Sequence, residues 1–156
     1  MFDDATIRAF WQTYLDTLDG NHPHRFQAIP AAWSFGSPPP PETANDELVT
    51  LVIQGIKTAT CGRYLGGNLV DEFGPQIVAG GKGQPLCVIE LTEITVRRFK
   101  DVDAQFASDE GEGDRTLDSW RTGHWNFFTR EGKEEGYEVS EDMLLECQRL
   151  RVLYHV

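Results

Sequence analysis

Apolar residues near the start of the chain recur at steps of three and four positions. This spacing predicts an amphipathic helix over residues 4–18 whose broad apolar stripe must pack against another part of the protein. Gly20 and Pro23 follow as a stop signal. The stripe consists of Ile7, Phe10, Trp11, Tyr14, Leu15 and Leu18.

Two later segments, residues 43–54 and 116–129, also have helical spacing, and Gly55 is placed to end the first of them in a left-handed conformation. The strongest strand is predicted over residues 85–99, with an inner half that is apolar on both faces and an outer half that alternates. Residues 76–79 are its expected partner. A last strand is predicted over residues 144–154, where Cys147 falls out of phase and indicates a bulge or bend near Gln148.

The order of these elements favours an α+β fold. Helices and strands do not alternate regularly, so a curved sheet or small barrel is expected rather than a Rossmann arrangement. Four consecutive prolines, Pro38 to Pro41, favour a rigid polyproline II link. We expect residues 1–32 to form a helix and connection packed on a domain of residues 33–156.

Charge and composition narrow the classes of function. The 156 residues contain 25 Asp and Glu against 14 Lys and Arg, a net charge of −11. This balance argues against a sequence-independent grip on a nucleic-acid backbone, which depends on basic side chains. The sequence lacks a run of 18 apolar residues, a signal peptide and an even set of cysteines, so we expect a cytoplasmic protein without a membrane partner.

The segment from Gly55 to Arg63 is the best candidate for chemistry, because Lys57, Thr58, Thr60 and Arg63 follow directly after a helix end. It is not a Walker A loop, since the upstream glycine is absent. From the residues alone, Lys57 also fits a surface lysine and the threonines fit ordinary strand residues.

Other candidate residues have similarly open interpretations. The acidic loop 109–114, with Glu110 and Glu112, fits either an exposed turn or a site for Mg²⁺ or Mn²⁺. His124 fits a hydrogen-bonded core histidine or a ligand contact. Trp33 and Phe35 fit either the core or a platform for base stacking. Cys61 fits a small packed thiol better than a nucleophile.

The chain contains in order the motifs Trp33-Ser-Phe-Gly36, Gly55-x-Lys57-x-x-Thr60, Val88-Ile-Glu90, Glu110-Gly-Glu-Gly-Asp114, Trp120, His124 and Phe127-Phe128. Together they resemble the ASCH domain family over roughly residues 33–155. The resemblance implies a PUA-like fold, meaning a small mixed β-barrel with flanking helices, here with an added N-terminal helix. It also implies a cleft near the GxKxxT motif that handles RNA, a nucleotide or a nucleoside.

The resemblance also implies roles for individual residues. Small bacterial members of this superfamily hydrolyse N4-acetylcytidine with a lysine, a threonine and a glutamate. The match assigns Lys57, Thr60 and Glu110 as catalytic, with Glu112 and Glu90 as alternative glutamates. The expected substrate-binding residues are Thr58, Arg63, Trp33, Phe35, Glu112 and His124.

Two other functions remain open at this point. One is a non-catalytic RNA-binding or regulatory module that uses the same cleft. The other is a ribonuclease assisted by Mg²⁺ or Mn²⁺, and only this alternative involves a metal; no other cofactor is expected. The expected ligand is a nucleoside, a nucleotide or a short RNA, and protein partners are left open.

A hydrolytic scheme makes demands on the charges of the site. Thr60 attacks an amide carbonyl, neutral Lys57 accepts its proton, and protonated Glu110 donates to the leaving amine. The scheme needs a lowered Lys57 pKa, with Arg63 as the nearby cation, and a raised Glu110 pKa. Because Lys57 and Thr60 would point to opposite faces of one strand, we expect Lys57 to precede the strand. Lys57→Ala is expected to abolish function with little loss of stability.

Overall fold

The computed structural model describes residues 3–36 and 42–156, so the predicted link Pro38 to Pro41 lies outside the described residues. The helices and strands follow in the order α1 (Asp4–Asp16), β1 (Ala32–Trp33), α2 (Glu42–Ile53), β2 (Ala59–Arg63), β3 (Pro75–Ala79), β4 (Pro85–Arg98), α3 (Ala104–Asp109), α4 (Leu117–Glu135) and β5 (Leu144–His155). Short 3₁₀ turns lie at Pro23–Phe26, Leu69–Glu72 and Phe99–Asp101. Within the described residues, none of the helices has the length and apolar character needed to cross a membrane.

The strands form one five-stranded mixed sheet in the order β1-β3-β4-β5-β2. Among the described strands, β1 and β3 pair in parallel and the other pairs are antiparallel. The long strands β4 and β5 pair from Cys87 opposite His155 to Arg98 opposite Leu144. The predicted α+β fold, a mixed sheet with flanking helices, is confirmed.

The β4–β5 ribbon is irregular near its middle. Leu91 pairs with Leu150 and Glu93 pairs with Arg149, so Thr92 is an extra residue on β4. The bulge predicted near Gln148 on β5 therefore lies on the neighbouring strand β4, between the residues that pair with Leu150 and Arg149.

Helices cover both faces of the sheet where β3 and β4 pair. The α1 stripe packs against Ile77 and Val88, while α2 packs against Val78, Cys87 and Ile89. Asp3 caps α1 by accepting a hydrogen bond from the Thr6 amide. Because helices pack on both sides of the sheet here, the inner half of β4 is apolar on both faces.

The other half of the sheet packs against α3 and α4 through a separate cluster of buried residues. Asp103 caps α3, and Thr116 caps α4, which ends at the left-handed Gly136. Helix α4 ends at Glu135, beyond the predicted end at residue 129. The prediction stopped short because the last residues of the helix are polar and show no apolar period. The cluster comprises Ala59, Phe99, Val102, Phe106, Ala107, Trp120, Phe128, Leu145 and Cys147.

Candidate functional site

Lys57 lies in the short connection between α2 and β2. Gly55 adopts a positive φ of 71°, and the amides of Ile56 and Lys57 both donate to the Leu51 carbonyl. Strand β2 begins only at Ala59. The prediction that Lys57 precedes the regular strand is confirmed, and the helix end fixes where its side chain starts.

Glu110 lies at the C-terminal end of α3, directly against the Lys57 connection. The Thr58 amide donates to the Asp109 carbonyl at 2.8 Å. Gly111 has a φ of 71°, and a Cβ at this position would lie 2.6 Å from the Ile56 carbonyl oxygen. Two segments more than fifty positions apart therefore touch backbone to backbone, which only glycine permits here.

The Lys57 ammonium group is surrounded by carboxylates. Its Nζ lies 3.3 Å from Oε1 of Glu110, 3.4 Å from the Glu110 carbonyl oxygen and 2.7 Å from Oε1 of Glu112. The side chains of Lys57 and Glu110 are each 1% exposed, whereas that of Glu112 is 39% exposed. The three ammonium protons thus face three acceptors, two of them deeply buried.

The second oxygen of Glu110 is held by helix α4. Oε2 accepts a hydrogen bond from the Trp120 indole N–H and lies 2.9 Å from Nε2 of His124. Nδ1 of His124 lies 2.9 Å from the Trp120 carbonyl oxygen, and the two rings stack with centroids 4.1 Å apart. Since both imidazole nitrogens face acceptors, the doubly protonated ring satisfies every contact.

These contacts set the charges of the site. Burial opposes ionisation of Glu110, but Lys57, His124 and Trp120 outweigh it and lower the carboxyl pKa to about 2. Burial likewise opposes the charge of Lys57, yet Glu110 and Glu112 raise its pKa; His124 has a raised pKa because its hydrogen bond and attraction to Glu110 outweigh burial. Lys57 and Glu110 are therefore both charged at neutral pH, and the contacts of His124 favour its protonated form.

The predicted acid–base scheme is therefore wrong for the resting site. It required a lowered lysine pKa and a raised glutamate pKa, and both shifts have the opposite sign. Lys57 and Glu110 are each other's counterion at 3.3 Å, so each favours the charged form of the other. Arg63 does not supply the expected cation, because it pairs with Glu135 at 3.2 Å.

A cavity of about 530 Å³ opens beside this ion-pair network. Its size lies within the range of about 300–1,000 Å³ that is typical of small-molecule sites. Aromatic rings from the β1–α2 connection and α4 form much of the wall. The lining residues are Phe35, Gly36, Leu48, Thr60, Cys61, Glu110, Glu112, Gly113, Ser119, Trp120, Gly123, His124, Phe127 and Arg130.

Five residues predicted for the site line this cavity: Phe35, Thr60, Glu110, Glu112 and His124. Lys57 lies behind the lining, with its amine on Glu110 and 5.4 Å from the centre of the Phe35 ring. The structure thus brings the lysine, the threonine and the glutamate of the predicted catalytic set to one place.

Three other predicted binding residues have contacts away from the lining. The Trp33 indole N–H donates to Gln76 at 2.8 Å. Thr58 binds the Asp109 carbonyl through its backbone amide. The Arg63 guanidinium stacks on Tyr137 at 3.7 Å. Each of them supports neighbouring structure in this conformation.

Trp120 was named from the sequence only among the family motifs and was given no role in the site. Trp120 and His124 are four positions apart on α4, and Phe127 follows three positions later. This spacing places all three on one helix face, and it was the available signal.

Cys61 was predicted to be a packed thiol, and burial raises its pKa well above the usual value, so the thiol stays protonated.

The donor set suits an ion-pair network better than a metal ion. One atom each from Cys61, Glu110 and His124 lies within 4.8 Å of the others, close enough to hold a cation. However, Glu110 already accepts from Lys57, Trp120 and His124, and a metal would face the Lys57 ammonium group. The Glu110 and Glu112 carboxylates of the acidic loop both contact this ammonium, which takes the position of a bound cation.

Comparison with known proteins identifies the class of this chain. A family model described as the ASCH domain matches residues 31–154, so the chain belongs to the ASCH domain family. The family prediction and the PUA-like α+β fold that it implied are confirmed.

Two solved structures are similar over nearly the whole chain. A high-resolution crystal structure of an ASCH domain from Lactobacillus crispatus JV V101 is 31% identical, with a TM-score of 0.85 over 97% of this chain and 96% of that chain. A protein from Enterococcus faecalis V583 is 30% identical, with a TM-score of 0.77 over 95% of this chain and 88% of that chain. A comparison with curated proteins finds no match.

Proposed function

We propose that the cavity binds a nucleoside-sized ligand and that the adjoining residues hydrolyse an amide on its base, as in N4-acetylcytidine. The observation that carries this proposal is the buried Lys57–Glu110 pair at the cavity wall. Burying an ion pair carries a desolvation penalty. Ionisable groups with strongly perturbed pKa values beside a cleft are therefore candidates for function.

The cavity wall favours a flat aromatic ligand. The rings of Phe35, Trp120 and Phe127 line it, and bases stack readily on aromatic side chains. The chain carries a net charge of −11, which repels a long polyanion outside the cavity but not a neutral nucleoside. Size, aromatic lining and charge all support a nucleoside over a long RNA.

The proposed reaction uses Thr60, which lines the same cavity as the Glu110 carboxylate. The threonine oxygen bonds to the acyl carbon, the carbon–nitrogen bond breaks, and water then hydrolyses the acyl-threonine ester. The amine leaving group needs one proton, and the hydroxyl group must lose one.

The charges of the resting site support one distribution of these proton transfers. Lys57 is protonated and acts as the acid, whereas ionised Glu110 acts as the base. In the second half of the reaction, neutral Lys57 takes a proton from the attacking water and Glu110 returns one to the Thr60 oxygen, so both residues regain their resting charges. These roles are the reverse of those expected from the sequence.

The test combines binding and turnover. Calorimetry with N4-acetylcytidine, cytidine and a single-stranded RNA of about twelve nucleotides is run at low and high salt, because contacts to phosphates make RNA affinity depend on salt. Release of cytidine and acetate is followed by chromatography. We expect the nucleosides to bind with little salt dependence and N4-acetylcytidine to be hydrolysed.

Thr60→Val removes the hydroxyl and keeps the side-chain shape, so we expect retained binding without turnover. Thr13→Val is the matched control, because Thr13 is exposed on α1 and its hydroxyl donates only to the Ala9 carbonyl. Nucleoside binding without turnover in the wild type would support the non-catalytic module. Tight RNA binding at physiological salt with no nucleoside binding would refute the proposal and favour the RNA alternatives.

A further inference from the structure

We infer that Glu112 occupies the position of a ligand oxygen, and that a ligand reaching Lys57 does so by replacing the Glu112 carboxylate. This inference rests on the proposed function, because it concerns the same cavity. The three acceptors on Nζ, two from Glu110 and one from Glu112, account for all three ammonium protons. A ligand acceptor can therefore bind this amine only after one of them leaves.

Glu110 is unable to leave. Its side chain is 1% exposed, and its other oxygen is bound by Trp120 and His124. Its backbone closes the last turn of α3 by donating to the Phe106 carbonyl at 3.0 Å. Breaking the contact with Lys57 would strand a buried carboxylate without its cation, which is strongly unfavourable.

Glu112 can leave at little cost. Its side chain lines the cavity and is partly exposed, so a released carboxylate regains water. Gly111 on one side is pinned against the Ile56 backbone, and the Glu112 carbonyl oxygen accepts a hydrogen bond from the Arg115 amide at 3.1 Å. The backbone around Glu112 is thus fixed, and rotation of its side chain is sufficient to open the route to Lys57.

The replacement defines what a ligand must present at this end of the cavity. The incoming group has to accept a hydrogen bond from an ammonium group, so it is a carbonyl, carboxylate or phosphate oxygen. In N4-acetylcytidine this group is the acyl carbonyl oxygen. The short 2.7 Å bond from Nζ to Glu112 marks the position that the oxygen takes.

The first experiment tests the position without a nucleoside. Sodium acetate is titrated into wild-type protein, Glu112→Ala and Glu138→Ala, and the Lys57 side-chain resonances are followed by NMR. Glu138 is exposed and lies outside the cavity, so its variant controls for net charge. We expect acetate to shift the Lys57 resonances only in Glu112→Ala, where it fills the vacated carboxylate position.

The second experiment uses the nucleoside. Glu112→Gln replaces the charged competitor by a weaker acceptor, so we expect N4-acetylcytidine to bind about tenfold more tightly, which equals about 1.4 kcal/mol. Glu138→Gln should leave the affinity unchanged. Weaker binding to Glu112→Gln would show that Glu112 itself contacts the ligand, and unchanged binding would show that it does not compete; either result overturns the inference.

The two experiments separate the inference from the proposed function. Acetate binding to Glu112→Ala without nucleoside binding to any variant would support the acceptor position at Lys57 and would refute the proposal that the cavity binds a nucleoside. Nucleoside binding to the wild type together with no acetate effect in Glu112→Ala would support the proposed ligand and would overturn the inferred role of Glu112. Thermal melting of each variant confirms that it is folded.

Discussion

Replacing Lys57 by methionine should destabilise the protein by about 3–5 kcal/mol, the usual cost of removing one partner from a buried ion pair. Methionine keeps most of the length and apolar surface of the lysine stem, so the loss reports mainly the missing charge. Glu110 would then retain its carboxylate at 1% exposure without its principal cation.

The pKa of Glu110 gives a second route to the magnitude. Its contacts lower this pKa from 4.5 to about 2, and Lys57 is the largest favourable contributor. A lowering of this size corresponds to about 3 kcal/mol of stabilisation at neutral pH. Both routes therefore predict a substantial part of the total stability of a domain, which is about 5–15 kcal/mol.

The assay is urea unfolding at pH 7, supported by thermal melting. A loss of this size corresponds to a drop in Tm of about 6–20 °C for a chain of this length. Lys100→Met is the matched control, because Lys100 pairs with Asp142 at 2.7 Å on an exposed surface. Its loss should cost less than about 1 kcal/mol.

A double variant isolates the pair. Lys57→Met combined with Glu110→Gln removes both charges together, so its cost should be smaller than the sum of the two single costs. A Lys57→Met protein as stable as Lys100→Met would refute the argument, because it would mean that the buried carboxylate does not need its cation.

Three further outcomes follow from other contacts. Gly111→Ala should lower both stability and ligand binding, because its Cβ would lie 2.6 Å from the Ile56 carbonyl oxygen; calorimetry and melting measure the two effects. The raised pKa of His124 means that its protonation stabilises the fold fully below pH about 6.5 and that this contribution is lost as pH rises through the folded pKa. His124→Gln should abolish this dependence in urea titrations between about pH 5 and 9. Trp11→Ala should cost about 3–5 kcal/mol in urea unfolding, since Trp11 on the buried face of α1 is 2% exposed.

Periodicity predicted the long elements because their burial is periodic. The α1 stripe and the strand 85–99 both pack one or two apolar faces, and these faces were visible in the sequence. Helix α3 was missed because its six residues are too few to show a period. Which strand carries the extra residue depends on how β4 and β5 pair. The sequence of β5 alone could therefore indicate the approximate position of the irregularity but not that Thr92 on β4 is the extra residue.

The site shows a different limit of sequence reasoning. The motif resemblance brought together Lys57, Thr60 and Glu110, and the structure places them around one cavity. The directions predicted for the pKa shifts of Lys57 and Glu110 were wrong, because a pKa depends on burial and on atoms a few ångströms away, which the sequence does not show. The expectation that Lys57→Ala costs little stability assumed a solvated lysine, whereas the side chain is buried and paired.

The net charge of −11 describes the outer surface better than the cavity. At the cavity the protonated Lys57 pairs with Glu110 and Glu112, His124 lies 2.9 Å from Glu110, and Arg130 adds a further positive charge to the lining. Acids and bases are nearly balanced there, so one negative charge on a small ligand meets no strong repulsion.

This contrast separates small nucleotides from RNA by their dependence on salt. Groups inside a cavity are screened less than groups on a surface, so the affinity for cytidine 5′-monophosphate should fall only slightly as salt rises from about 0.05 to 0.2 M. An RNA of about twelve nucleotides must place most of its phosphates outside the cavity, against the acidic surface, and lacks the basic contacts that release counterions. Calorimetry at both salt concentrations measures the two slopes. Tight RNA binding at the low salt concentration that is lost at the high one would contradict this picture, because it would reveal basic contacts to several phosphates.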